Sequence, residues 1–166
     1  ERKTGSVGFC SAFGDRKNPD MIYNLVKNMP KRQFYLLGRY WENFDKYPEM
    51  KDFPNFNYHN NEEYSKYPGI YNKIDLFVSP SILEGGPVPL LEAMLSNCFP
   101  IASRTGFCPD VIKDGDNGFL FDIDADYTEV MRLINLADSK TVDVRKTALE
   151  YSWKNCSHTI DNLFLE

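Results

Sequence analysis

Short apolar runs alternate along the chain with stretches that have helical periodicity or capping residues. Six runs predict β-strands, at residues 6–13, 33–37, 56–59, 75–79, 99–103 and 118–121. Several of them are continuously apolar, which is typical of strands covered on both faces. Strands that alternate with helices indicate βαβ units and a parallel sheet. The pattern therefore predicts one α/β domain with a Rossmann-like, doubly wound parallel sheet.

Helical stretches are predicted between most of these strands. They cover residues 20–28, 62–66 and 88–97, a turn at 109–113, and two or three closing helices at 126–137, 141–151 and 153–165. We expect Pro68-Gly69 to break the chain into a short helix, a kink and a second turn. Asn18, before Pro19, and Asp126 are expected to cap the helices that follow them.

Residues 84–92, with the sequence EGGPVPLLE, carry the most distinctive chemistry. Two carboxylates flank a glycine–proline turn that leads into an apolar helix, whose N-terminus favours anions. Two prolines there have no N–H group. The backbone donors that remain belong to Gly85, Gly86, Val88, Leu90 and Leu91. Other helix starts carry capping residues and this one does not, which favours an anion site. A buried strand-to-helix turn satisfied by water or backbone is the alternative.

Several segments, in order, resemble the donor-binding half of retaining GT-B-fold glycosyltransferases of family 4, the glycosyl transferases group 1. They are residues 9–20, 74–81, 84–94, 98–103, 114–121 and 151–155. The resemblance extends over nearly the whole chain. It implies that residues 1–166 form a nucleotide-sugar (donor) binding domain, one half of a GT-B fold. The N-terminal acceptor domain would then be absent from this chain, and the isolated domain would bind a donor without transferring its sugar.

The resemblance also implies roles for individual residues. Glu84 would be catalytic, contacting the donor sugar and stabilising positive charge in the transition state. Glu92 would bind the ribose hydroxyls. Lys17 and Arg16 would bind the diphosphate, together with the amides from Gly85 to Leu91. Two surface carboxylates and a solvated basic loop are the alternative interpretation.

One position departs from the family pattern. An arginine usually follows the first strand, paired with the lysine, and this chain has Ala12 there. A missing cation weakens diphosphate binding, because each charge-assisted hydrogen bond contributes about 1.5–3 kcal/mol. Three possibilities remain open: Arg16 substitutes, the donor binds weakly, or the protein no longer transfers sugars.

Other candidates at the strand ends are less distinctive. Arg39 ends the second strand and could lie under the base, or in a solvated turn. His59 ends the third strand and could edge the base pocket, although a structural histidine is more common. Asp122 and Asp124 imitate a metal-binding pair, but their position before a helix favours capping. We expect no metal and no other cofactor.

Charge and cysteine content narrow the class of protein. The net charge of −5 disfavours a nucleic-acid partner, which usually needs a basic surface. Any phosphate must therefore be held by local groups. The four cysteines are widely spaced, which predicts reduced thiols and a cytoplasmic protein. The sequence contains no apolar run long enough to span a membrane, so this domain should not insert, although the full-length protein could be peripheral to one.

Taken together, these features predict the donor-binding domain of a retaining glycosyltransferase. Its longer protein would transfer a sugar from a nucleotide-diphosphate sugar to a glycan or lipid, as in polysaccharide biosynthesis. The alternative is a catalytically inactive nucleotide-binding or regulatory module of the same fold. A nicotinamide-dependent enzyme is disfavoured because no G-x-G-x-x-G follows the first strand. The sugar, the base, the acceptor and the oligomeric state stay open.

Overall fold

Six parallel β-strands form one sheet at the centre of the molecule. The computed structural model of the protein describes residues 5–157. The strands are β1 (Val7–Ala12), β2 (Phe34–Arg39), β3 (Phe56–Asn60), β4 (Leu76–Ser79), β5 (Phe99–Ser103) and β6 (Phe119–Phe121). Their order across the sheet is β3-β2-β1-β4-β5-β6, and every neighbouring pair is parallel. All six predicted strands and the doubly wound α/β fold are confirmed.

Helices cover both faces of this sheet. They are α1 (Pro19–Asn28), α2 (Tyr47–Met50), α3 (Tyr67–Tyr71), α4 (Val88–Leu95), α5 (Cys108–Val111), α6 (Tyr127–Ala137) and α7 (Arg145–Glu150). Three 3₁₀ turns accompany them, at Asp15–Lys17, Trp41–Asn43 and Tyr64–Lys66. Helix α1 contacts α6, and α4 contacts α7. The chain turns in opposite directions from β1 and from β4, so right-handed crossovers place these two helix pairs on opposite faces.

The boundaries of several helices differ from the prediction. Pro68 does not break a helix: it lies in the first turn of α3, where a missing N–H group costs no hydrogen bond. The predicted helix at 62–66 is only a 3₁₀ turn, and the one at 141–151 is shorter. Helix α2 and the turn before it were not predicted. Residues 153–157 are helical, and the rest of the predicted helix at 153–165 lies outside the described residues.

Side-chain caps confirm two predictions and correct a third. Asn18 accepts a hydrogen bond from the backbone N–H of Met21, and Asp126 accepts from Thr128 and Glu129. Helix α4 begins after Pro87 without a side-chain cap, as predicted. Helices α2, α3, α5 and α7 also lack one. The missing cap therefore does not distinguish α4 from the other helices.

The strand order fixes where a ligand can bind. Connections from β1 run toward one edge of the sheet and those from β4 toward the other, so the order reverses between these two neighbours. The loops at their carboxyl ends diverge and leave a crevice, which is the usual ligand site of open α/β sheets. The predicted site residues follow β1 and β4.

Candidate functional site

A buried carboxylate with two cations lies in the crevice between the loops after β1 and β4. The side chain of Glu84 is only 8% exposed. The Nη1 atom of Arg16 lies 3.1 Å from one of its oxygens, and the Nζ atom of Lys17 contacts the other. Arg16 also donates to the carbonyl of Leu83 at 3.3 Å. The two cations predicted to bind phosphate therefore converge on the carboxylate predicted to be catalytic.

The surroundings of Glu84 keep it ionised. Burial raises the pKa of this carboxyl. Hydrogen bonds from Lys17 and Ser81, with the positive charges of Lys17 and Arg16, outweigh burial and bring the pKa below its ordinary value. The backbone N–H of Glu84 donates to the hydroxyl of Thr105 at 3.1 Å. The loop after β5 therefore positions this residue, and neither Ser81 nor Thr105 was assigned a part in binding Glu84 from the sequence.

The glycine turn after Glu84 offers fewer free amides than predicted. The N–H of Val88 donates to the carbonyl of Gly86 at 2.8 Å, and that of Leu90 donates to the carbonyl of Pro87 at 2.9 Å. Within the described part of the chain, the N–H groups of Gly85 and Gly86 donate to no protein atom. These two amides are the ones available to an anion.

The residues of this segment differ in what they face. Val88 is half-exposed, Leu90 is fully buried under the crevice, and Leu91 is partly buried against the core. A Cβ atom on Gly86 would lie 2.8 Å from the ring of Phe107, whereas one on Gly85 would meet nothing within 4 Å. Packing therefore requires glycine at position 86 and not at position 85.

The second carboxylate, Glu92, lies on α4 and faces a separate cleft. Its two oxygens each accept a hydrogen bond from a tyrosine hydroxyl, one from Tyr64 and one from Tyr71 at 3.2 Å. The cleft, called here the Glu92 cleft, has a volume of about 460 Å³. Its lining comprises Cys10, Ser11, Ala12, Gly38, Arg39, Asn61, Glu62, Tyr64, Tyr67, Val88, Pro89 and Glu92. Neither tyrosine was singled out from the sequence.

Of the candidates at the strand ends, one lines the Glu92 cleft. Arg39 does so, and its guanidinium lies 5.3 Å from the ring centroid of Tyr40. His59 is not among the lining residues. Its ring stacks on Tyr35 with centroids 6.2 Å apart, and burial with the nearby charge of Lys73 lowers its pKa. His59 therefore packs on β2 and does not line the Glu92 cleft.

The aspartates at positions 122 and 124 form neither a helix cap nor a metal site. Asp122 lies 3.3 Å from Arg104, and Asp126 supplies the cap of α6. Across residues 5–157, no three His, Cys, Asp or Glu side chains are grouped so as to hold a metal ion. The capping role expected for Asp122 and Asp124 is wrong.

A second large cleft, called here the Arg32 cleft, lies at the other end of the strands, beside their amino ends. Its volume is about 540 Å³, and its lining includes Gly5, before β1, and Asp75, before β4. The Arg32 guanidinium inside it makes two hydrogen bonds to Asp138, at 2.9 and 2.7 Å, and one to Asn135. This cation is already paired, and none of the predicted site residues lies there.

Comparison with known proteins assigns the chain to a family. The model of the family described as "Glycosyl transferases group 1" matches residues 3–148. The chain belongs to this family. It is 28% identical over 134 residues to a glycogen synthase of Mycoplasma mobile, an alignment that covers 72% of this chain and 28% of that protein. The chain spans 20–28% of the length of the curated relatives that it matches.

Solved structures of glycosyltransferases share the fold. The C-terminal domain of the group 1 family protein LpcC from Francisella tularensis has a TM-score of 0.70 at 22% identity, covering 86% of this chain and 80% of that one. Anabaena HepE in complex with UDP-glucose has a TM-score of 0.71 at 18% identity, covering 88% and 42%. The domain is therefore the Rossmann-like half of a GT-B fold. None of the helices described is long and apolar enough to cross a membrane.

Proposed function

We propose that this chain binds the nucleotide-diphosphate sugar from which a retaining glycosyltransferase takes the transferred sugar. The observation that carries the proposal is the arrangement of charge around the start of α4. Glu84 precedes this helix with Lys17 and Arg16 against it, and Glu92 lies on the helix beside the Glu92 cleft. A nucleotide-diphosphate sugar has hydroxyls on its ribose and on its sugar, which need hydrogen-bond acceptors, and a diphosphate between them, which needs cations. The site offers two acceptors, Glu84 and Glu92, at two positions along α4 and the turn before it, with both cations beside the first of them.

Each charged group has one role in this proposal. Lys17 and Arg16, with the amides of Gly85 and Gly86, bind the diphosphate, because charged donors make the strongest hydrogen bonds to phosphate. Glu84 then turns to the donor sugar. It accepts hydrogen bonds from the sugar hydroxyls, and its negative charge stabilises the oxocarbenium-like transition state. No metal is needed where two cations meet the diphosphate.

Arg16 compensates for the alanine at position 12. The guanidinium of Arg16 and the ammonium of Lys17 contact the same carboxylate, so two positive charges lie within reach of one ligand. Arg16 therefore supplies the second charge that the family's usual arginine would bring. This pairing supports an active donor site over an inactive nucleotide-binding module.

The rest of the reaction follows from the family. Curated relatives are named as a glycogen synthase, a galactosyltransferase acting on a diphosphoundecaprenol and a sulfoquinovosyl transferase. We infer a glycan or lipid acceptor, bound by an N-terminal domain of the same protein across the crevice from Glu84. Within residues 5–157, Cys10, Cys98, Cys108 and Cys156 form no disulfide, which suits a reducing compartment, and we place the reaction in the cytoplasm.

Ligand-dependent stability tests the proposal. The melting temperature of the chain is measured with UDP, ADP and GDP, and with sugars attached to each. A ligand present at one hundred times its Kd adds about 2.7 kcal/mol to the free energy of unfolding. We expect the nucleotides of one base to stabilise wild type and to stabilise Lys17→Ala clearly less. Equal shifts in wild type and variant, or none with any nucleotide, would contradict a donor site here.

A further inference from the structure

The hydrogen bonds of Glu92 involve two tyrosines of very different exposure. Tyr71 is 2% exposed, and Tyr64 is 70% exposed. The hydrogen bond to the Glu92 carboxylate and the negative charge of Glu92 raise the pKa of Tyr64, because both favour the protonated phenol that donates to Glu92. One oxygen of Glu92 thus accepts a hydrogen bond from the buried Tyr71, and the other accepts one from the exposed Tyr64.

The local packing determines which hydroxyl can leave. Tyr71 packs against Phe77, with ring centroids 6.1 Å apart, and its backbone carbonyl accepts from the thiol of Cys98. Moving Tyr71 would disrupt the core. Tyr64 begins the 3₁₀ turn after β3, and its ring has Tyr67 as a tilted neighbour at 5.2 Å. The Tyr64 hydroxyl can therefore turn away from Glu92 while its ring stays at the Glu92 cleft.

We propose that the Tyr64 hydroxyl occupies the position of a ribose hydroxyl on Glu92, that a bound nucleoside displaces it, and that the Tyr64 ring then forms one wall of the nucleoside pocket. This inference rests on the proposed function, because it takes the Glu92 cleft as the nucleoside site. It adds a residue that determines affinity for the nucleoside part of the donor. The phosphate-binding groups around Glu84 are not involved.

Two substitutions at position 64 separate the hydroxyl from the ring. Tyr64→Phe removes the competing donor and keeps the ring, so nucleoside diphosphate binding should become about three- to tenfold tighter, the effect of one ordinary hydrogen bond. Tyr64→Ala also removes the surface on which a base can pack. Tyr64→Ala should bind the nucleoside diphosphate at least about fivefold more weakly than Tyr64→Phe does, because aromatic contacts with bases contribute substantially to affinity.

Isothermal titration of the 166-residue chain tests the inference, with the tightest binder among UDP, ADP and GDP, and with inorganic pyrophosphate. Tyr40→Phe is the matched control. Tyr40 is exposed at the carboxyl end of β2, on the same side of the molecule, and does not line the Glu92 cleft. Pyrophosphate lacks ribose and base, so its binding should be unchanged in all three variants.

The outcomes separate this inference from the proposed function. If wild type binds none of the nucleotides, the proposed function fails and the Tyr64 inference fails with it. If wild type binds and Tyr64→Phe binds equally or more weakly, the hydroxyl does not compete with ribose. If Tyr64→Ala binds as tightly as Tyr64→Phe, the ring forms no part of the pocket. A matching gain in Tyr40→Phe or with pyrophosphate would also overturn the inference.

Discussion

At the scale of single residues, Glu84 positions the two cations that we propose to bind the diphosphate. It holds the side chains of Lys17 and Arg16 in one place, although both are long and rich in rotamers. Ordering such side chains during binding costs about 0.5–1.5 kcal/mol each. Because folding has already ordered them, the ligand gains two preorganised cations, at the cost of displacing Glu84 from them.

Removing each cation should reveal their unequal contributions. The side chain of Lys17 is 15% exposed and that of Arg16 is 55% exposed, so solvent screens Arg16 more strongly. We expect Lys17→Ala to weaken nucleoside diphosphate binding by about 1.5–3 kcal/mol, and Arg16→Ala to weaken it clearly less. Isothermal titration measures both. A neutral Lys17→Ala with a severe Arg16→Ala would exchange the two roles.

The acid stability of the protein should depend on Glu84. Its pKa in the folded protein lies below the ordinary value of 4.5. The folded state therefore binds this proton more weakly than the unfolded chain does, and the stabilisation present at neutral pH is lost as pH falls through the folded-state pKa. Thermal melts from pH 7 to pH 3 should show the gap between wild type and Glu84→Gln closing at low pH. Glu63→Gln, at an exposed position, should show no such change, and a gap that stays constant would contradict the shift.

The two carboxylates should affect different parts of the donor. Glu92→Gln should weaken binding of the bare nucleoside diphosphate by about 1 kcal/mol or more, because a charged acceptor for the ribose is lost. Glu84→Gln should leave the affinity for the bare nucleoside diphosphate unchanged or increase it, because the substitution releases Lys17 and Arg16. It should reduce only the additional affinity that the attached sugar provides. Calorimetry with and without the sugar distinguishes them. Equal losses in both variants with both ligands would refute this division.

At the scale of elements, one glycine controls how closely β1 and β2 approach. A Cβ atom on Gly38, in β2, would overlap the backbone carbonyl of Ser11 in β1, whereas one on Gly69, in α3, would meet nothing within 4 Å. Gly38→Ala should therefore cost about 1–3 kcal/mol of stability. Gly69→Ala should raise it by about 0.5–1 kcal/mol, because alanine loses less entropy in a helix. Urea denaturation measures both, and destabilisation by both would contradict the assigned geometry.

The strands could be predicted because their signal is local. Runs such as Leu76–Ser79 and Phe99–Ser103 are buried along their whole length, so hydrophobicity alone marks them. The turn at Trp41–Asn43 depends on distant contacts. Trp41 is fully buried, and its indole N–H donates to the carbonyl of Ser11 at 2.9 Å, thirty positions earlier. No local pattern indicates such a contact, and the short helix α2 after this turn was missed as well.

The candidate site was predictable to the same extent. Lys17 and Glu84 each follow a strand of the parallel sheet, so their proximity follows from the topology. The contact of Thr105 with Glu84 joins two loops 21 positions apart, and that of Tyr64 with Glu92 joins a 3₁₀ turn to helix α4, 28 positions apart. They depend on how these segments pack together, and the order of strands does not determine that.

At the scale of the whole molecule, the Arg32 cleft and the Glu92 cleft lie at opposite ends of the parallel strands. The Arg32 cleft is slightly larger, but the charge of its arginine is balanced by Asp138. At the other end of the strands, Lys17 and Arg16 share one carboxylate, that of Glu84, which leaves a net positive charge beside the free glycine amides. Net charge and free donors, and not volume, are therefore the reason why we expect a diphosphate to bind at the Glu92 end.

Hydrogen exchange and mutation at the Arg32 cleft should confirm this choice. A saturating nucleoside diphosphate should slow amide exchange in residues 11–18 and 84–92, and leave residues 28–32 and 135–138 unchanged beyond the global effect. Arg32→Ala should lower the melting temperature, since it removes three side-chain contacts, and keep the Kd within about twofold. Protection centred on residues 28–32 would move the site to the Arg32 cleft.

The seam between β1 and β4 has a consequence for how the chain holds together. Six residue pairs join β1 to β2, and only two join β1 to β4, so the sheet consists of two halves with a narrow junction. Lys17 belongs to the first half, and Glu84 and Glu92 belong to the second. The ion pair of Glu84 with Lys17 therefore crosses the junction at its open end. A donor bound as we propose would contact both halves and strengthen the junction, and by reciprocity a stronger junction would bind the donor more tightly. Donor affinity and the cohesion of the domain would then be linked by one coupling free energy.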